Sequence, residues 1–234
     1  MSKNQGMNIT GIRVFGIEHA ILGMRYPLNS EKNSDTFLDN DGFVVVGPKD
    51  LDLLIRLSKA GTDHRKVLRM INVYASVKMP FTWWAHYDTY KVGTTAISRS
   101  RMHKLTERLL RRDDFYVEEW DDSNKMVMDN INNHIDQALT FKEVQEPKNA
   151  KYHWRKALDA LPMTYCQERM INLNYEVLLN ILGSRYKVEK LAPEWDFFCQ
   201  HFIDNCMHLE EIYDAVKHKR SLTTGEFNAK SKEK

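Results

Sequence analysis

Disulfides, a membrane span, a nucleotide loop and a dominant charge are all missing from this chain of 234 residues. Its cysteines are three, Cys166, Cys199 and Cys206. An odd number at wide spacing excludes a disulfide scaffold and zinc-finger spacing, and it points to a reducing, cytoplasmic setting. No apolar run is long enough to cross a bilayer, and no apolar leader opens the chain. Thirty-four Lys and Arg face 32 Asp and Glu, a net charge of +2. That balance argues against nucleic acid as the partner. There is no Gly-x-Gly-x-x-Gly and no phosphate-binding Gly-Lys loop. His86, His103, His134, His153 and His208 form no His-x-x-x-His pair, so no metal site is expected. Cys166 has no thiol-protease spacing to His153 or His201, and Asp113-Asp114 reads as a pair of solvated helix-end charges.

What is present centres on residues 70–103. Ile71, Val73, Ala75, Val77 and Met79 alternate with period two, which predicts a half-buried strand that Pro80 ends. Proline suits a first helical turn, and the aromatic block from Phe81 to Tyr90 follows as a helix. Trp83, Trp84, Tyr87 and Tyr90 can either stack on a flat ring or fill a core. Residues 94–103 then read as a polar loop that sets hydroxyls and cations at the rim of a sheet, where ligand sites are commonly built.

Elsewhere, residues 1–10 read as frayed and 11–22 as a strand leading into a turn. Arg25 and Asn29 lie on a Gly/Pro loop, either as an anion site or as solvated groups. Phe43–Val46 reads as a short strand. Pro48 opens a helix with Leu51, Leu54, Ile55 and Ser58 on one face, closed by Gly61. Residues 104–122 read as helix, and Val127, Ile131, Ile135, Ala138 and Leu139 predict an amphipathic helix over 123–141. Further helices are expected from Ala150, after Pro162, and from Pro193 through Val216. The expected layout is one domain over 1–218 and a disordered basic tail over 219–234.

Two blocks carry a family resemblance. Counted from Pro80, Thr89-Tyr90-Lys91, Thr94, Ala96-Ile97, Arg99 and Arg101-Met102 occupy the slots of a signature motif. Ser100 fills its second Ser slot in a register shifted by one, and His64 falls on an upstream histidine. Counted from Leu161-Pro162, Asn174 and Arg185 fall on an Asn and a later Arg, while Glu176 stands where the pattern has arginine. In this spacing the chain resembles the flavin-dependent thymidylate synthases over residues 47–103 and 150–213.

The resemblance implies an α+β fold, a small antiparallel or mixed sheet flanked by helices with a helical second half. It implies reductive methylation, or a related C5 modification, of a pyrimidine deoxynucleotide such as dUMP. FAD would be the cofactor, with NADPH and methylenetetrahydrofolate as co-substrates, in a homotetramer. His64, Tyr90, Lys91, Thr94 and Asn174 would then contact the flavin cofactor, and Arg99, Ser100, Arg101 and Arg185 the substrate. Two like charges a few ångströms apart repel by roughly 4 kcal/mol at intermediate dielectric, so Glu176 opposes a phosphate at the arginine's place. The alternative reading is a member of the same fold that has lost the reaction and holds a nucleotide or a protein.

Overall fold

A computed structural model describes residues 6–100, 105, 107–188 and 193–217. Tail residues 219–234 and the candidate Arg101 lie outside the described residues. The fold is α+β. Strands β1 (Asn8–Phe15), β4 (Asn72–Pro80), β5 (Thr94–Ser98) and β6 (Cys166–Asn174) form a sheet in the order β1-β4-β6-β5. β2 (Phe37–Leu38) and β3 (Val44–Val45) pair antiparallel, with Phe37 opposite Val45. The helices are α1 (Ile17–Arg25), α2 (Pro48–Lys59), α3 (Phe81–Tyr87), α4 (Asp122–Glu143), α5 (Pro147–Asp159), α6 (Tyr175–Arg185) and α7 (Pro193–Asn205). Residues 209–217 are helical as well.

The chain divides into two compact units. The first contains residues 1–10, 76–89 and 96–170; the second contains 11–75, 90–95 and 171–234. In the first unit, Ile131 and Ile135 of α4 and Ala157 of α5 pack with Leu105, Leu110 and Phe115. The period-3.6 spacing seen in the sequence therefore builds a helical hairpin with a buried seam. The aromatic block resolves as core, because Trp83, Trp84 and Tyr87 are at most 2% exposed. Each such ring buries some 150–250 Å², worth roughly 4–6 kcal/mol at about 25 cal/mol per Å². Phe81 and Thr82, whose N–H groups have no partner inside α3, donate instead to the carbonyls of Tyr165 (3.1 Å) and Met163 (3.2 Å). Trp84 Nε1 donates to the Gln167 carbonyl at 2.9 Å, and the Arg169 guanidinium lies 4.2 Å over the Trp84 ring.

In the second unit, Ile71, Val73 and Ala75 are fully buried, as are Ile171, Leu173, Leu178 and Ile181. Asn174 caps α6 by accepting from the Val177 N–H at 3.1 Å. Asp50 ties down the stretch before α2. Its carboxylate accepts from Ser34 Oγ (2.6 Å), Thr36 Oγ1 (2.7 Å), the N–H groups of Asp35 and Thr36, and Arg25 Nε (2.5 Å). Burial works to raise the Asp50 pKa, but these hydrogen bonds outweigh it and lower it to about 2.

Several expectations are corrected. Met7 and Ile9 are buried and β1 begins at Asn8, so residues 6–10 are ordered rather than frayed. Residues 17–22 are helix, because Gly16 at φ +81° turns the chain out of β1, and a Cβ there would meet the Met70 carbonyl at 2.7 Å. Residues 94–98 are a strand rather than a loop, and 166–174 after Pro162 are a strand rather than a helix. Period-two burial in Ile171 and Leu173 was hidden by the charged residues Glu168 and Arg169 ahead of them. The described residues of 107–121 contain no α-helix, only a 3-10 turn over Arg112–Asp114 and a bridge from Phe115 to Tyr165. The long helix from Pro193 stops at Asn205 and resumes at 209, with His208 at φ +57° between them. Arg25 is 7% exposed and bonded to Asp50, so it is a structural cation. Asp114, read as solvated, is buried and ion-paired.

Candidate functional site

The first unit holds a cavity of about 520 Å³. Lys78 comes to it from β4, Cys166, Gln167 and Glu168 from β6, and Arg99 and Ser100 from the end of β5. Leu105, Glu107, Arg108, Leu110 and Asp114 close it. Strand alternation explains why Lys78 faces this space while Val77 and Met79 are fully buried. The volume is in the range of small-molecule sites.

The charges of the cavity differ in how firmly they are held. Asp114 accepts two hydrogen bonds from the Arg108 guanidinium, both at 2.7 Å, and lies 3.8 Å from Lys78 Nζ. Burial works to raise the Asp114 pKa, but Arg108, the Arg111 N–H and Lys78 outweigh it and lower it. A carboxylate this enclosed will not give up its arginine without large cost. Arg99 is different. Its Nε lies 2.5 Å from Glu168, yet its side chain is 73% exposed. Exposed pairs of this kind are worth about 0–1 kcal/mol. Arg99 can therefore exchange Glu168 for a ligand anion at little cost, while Glu168 keeps its bond from Ser76 Oγ (2.6 Å). The Gln167 side chain, bonded to the Arg99 carbonyl at 3.2 Å, holds the backbone of that arginine in place.

The other candidates gather in the second unit. Arg185 Nε donates to the Tyr90 hydroxyl at 3.0 Å, and that hydroxyl is 3.1 Å from Ser184 Oγ. The Arg185 guanidinium lies 5.9 Å from the Tyr90 ring centre and 5.3 Å from that of Trp195. Thr94 Oγ1 donates to the Tyr90 carbonyl. Gly93 at φ +74° approaches Asn174 so closely that a Cβ would stand 2.8 Å from Asn174 Nδ2. Tyr90, Thr94, Asn174 and Arg185 are thus brought together, with Lys91 exposed on the same turn. His64 is exposed at the start of the 3-10 turn Arg65–Arg69. Arg99 and Ser100 belong to the first unit, and Arg101 lies outside the described residues.

For a flavin, the five residues assigned to it fit poorly. Thr94 spends its hydroxyl on the Tyr90 carbonyl, Asn174 spends its oxygen on the helix cap, and Tyr90 is engaged by Arg185 and Ser184. Lys91 is the only certain cation among them. Glu176 is accounted for by two cations that sequence reasoning missed: Arg69, which donates to it through Nε, and Arg65, whose Nε is 3.5 Å away. Their spacing, one turn apart and 107 and 111 residues before Glu176, gave no signal in the sequence. Lys78, Arg108 and Gln167 were also missed; the inward phase of β4 could have flagged Lys78. Among the described residues no group of three or more His, Cys, Asp or Glu is placed to hold a metal ion, and no helix is long and apolar enough to cross a membrane.

No protein-family model matches the chain, and no curated protein matches it. Solved structures do match. Thymidylate Synthase X from Helicobacter pylori with FAD and dUMP superposes with a TM-score of 0.64 at 17% identity, covering 91% of this chain and 100% of that one. A second structure of the flavin-dependent enzyme from Helicobacter pylori, complexed with FAD and dUMP, gives 0.63 at 18% identity, covering 88% and 100%. The UMP/dUMP methylase PolB from Streptomyces cacaoi, bound with 5-Br dUMP, gives 0.56 at 12% identity, covering 91% and 94%. The chain has the fold of these enzymes.

Proposed function

We propose that this chain binds a pyrimidine deoxynucleotide, dUMP or a close relative, in the cavity of the first unit, and modifies the ring at C5 as its structural neighbours' names suggest. The observation that carries the reading is Arg99, a cation lining a nucleotide-sized space, whose exposed side chain is paired, among the described residues, with Glu168. The phosphate would take Arg99 from Glu168, with Ser100 as a hydroxyl donor beside it. Lys78, bonded to the Asp113 carbonyl at 2.7 Å, adds positive potential without leaving its place. FAD, NADPH and methylenetetrahydrofolate belong to this reading through the resemblance alone, since Tyr90, Thr94 and Asn174 are engaged within the chain. The chain is proposed to work as a homotetramer, as the resemblance implies.

A second reading is a nucleotide-binding protein on this scaffold that has left the methylation behind. Tyr90, Thr94 and Asn174 favour it, since the Tyr90 hydroxyl, the Thr94 hydroxyl and the Asn174 side-chain oxygen are engaged within the chain. One experiment separates the two. The protein is purified after FAD supplementation, its absorption spectrum is recorded, and dUMP is titrated in the presence of NADPH and methylenetetrahydrofolate with release of C5 hydrogen as the activity readout. Flavin bands with turnover support the enzyme; a colourless protein that binds dUMP supports the second reading. No dUMP binding at millimolar concentration ends both.

A further inference from the structure

Helices α4 and α5, joined by residues 144–146, place two histidines face to face. His134 Nδ1 and His153 Nδ1 are 3.1 Å apart, although the residues are 19 positions apart in the chain. Their rings are 5.3 Å apart between centres at 40°. Phe141 stacks on the His153 ring at 5.5 Å and 19°, and Tyr152 meets it edge-on at 5.1 Å. Packing of this kind fixes the His153 ring plane and leaves its Nδ1 aimed at its partner. Both histidines are half-buried.

Two imidazole nitrogens this close must share something. In the neutral pair, one Nδ1–H donates to the other's lone pair. A metal ion between them is the other solution. Bonds of about 2.0–2.1 Å to each nitrogen put the nitrogens about 2.9 Å apart at a right angle and about 3.4 Å apart at the tetrahedral angle. The observed separation lies between those limits. The geometry points to a two-histidine site for a late first-row divalent cation, copper(II) or zinc, clamping α4 to α5. Imidazole ligands select these ions over magnesium and calcium, and copper(II) binds more tightly than zinc at equal ligation. With two protein ligands, water completes the coordination. Binding needs both Nδ1 lone pairs, so in the metal-bound pair the ring protons sit on Nε2.

The test uses the full-length chain. Copper(II) is titrated and followed by electron paramagnetic resonance, and zinc is titrated with thermal unfolding as the readout. One copper bound with two-nitrogen hyperfine structure, and a rise in Tm with zinc, are expected. His134→Gln and His153→Gln should each remove one nitrogen from the signal and weaken binding at least about tenfold, since even loss of a supporting group costs a site 10–100-fold. Circular dichroism checks that each variant keeps its helices. Nitrogen NMR of the unmodified chain gives a readout free of mutation: the Nδ1 resonances of His134 and His153 should move together on adding zinc. Unchanged copper binding in either variant, or a zinc response confined to other histidines, would overturn the site.

Discussion

Glu176 and Arg69 form an ion pair between the first turn of α6 and the turn at residues 65–69, with the Arg69 Nε donating to the carboxylate. Arg65 Nε lies 3.5 Å from the other carboxylate oxygen, too poorly aligned for a hydrogen bond. The negative charge at position 176, where the resembled motif has arginine, is therefore compensated within the chain. Glu176→Arg should destabilise the fold by about 1–3 kcal/mol, because three cations would then face one another. Pairing it with Arg69→Glu should recover part of that loss. Chemical denaturation of the two single variants and the double variant measures the coupling, and strict additivity would mean that the pair has no energetic role.

Asp50 makes stability depend on acid. Its folded pKa, about 2, is below the ordinary 3.8, so its stabilisation is fully present above about pH 4 and is lost as the pH falls through 2. The difference corresponds to about 2 kcal/mol. Asp50→Asn should lower stability at pH 7 and flatten the profile between pH 4 and 2. Urea midpoints across that range check it.

The two arginines of the cavity should separate binding from folding. Arg99→Ala should leave stability within about 0.5 kcal/mol and weaken dUMP binding by about 1.5–3 kcal/mol. Arg108→Ala leaves buried Asp114 with the Arg111 N–H and the more distant Lys78, and should cost about 3–5 kcal/mol of stability. Calorimetry and thermal melts of both variants read the two effects; equal behaviour would remove Arg99 from the binding role.

Arg185 acts on Tyr90 and Trp195. Arg185→Lys keeps the charge but loses the planar stacking and the Nε–H that reaches the Tyr90 hydroxyl, so it should lower stability by about 1–2 kcal/mol. Tyr90→Phe should cost about 1 kcal/mol through the same bond. A wild-type melt in Arg185→Lys would show that the stack adds nothing.

Sequence alone determined what repeats locally. The alternation of Ile71, Val73 and Ala75, the stop at Pro80, the 3.6-residue seam of α4 and the spacing around the two prolines are one-dimensional signals, because strand and helix expose their faces at fixed periods. The fold class followed from the family resemblance that the spacing around the two prolines carries. Tertiary structure decided what each charge does. Arg25 became a buried partner of Asp50, Glu176 was matched to Arg65 and Arg69, Arg185 was folded onto Tyr90, and Lys78 was turned toward Arg99 and Arg108 around one cavity. A side chain's electrostatic role depends on neighbours within a few ångströms. Those neighbours lie 25, 107 or 95 residues away in the chain, beyond the reach of any local pattern.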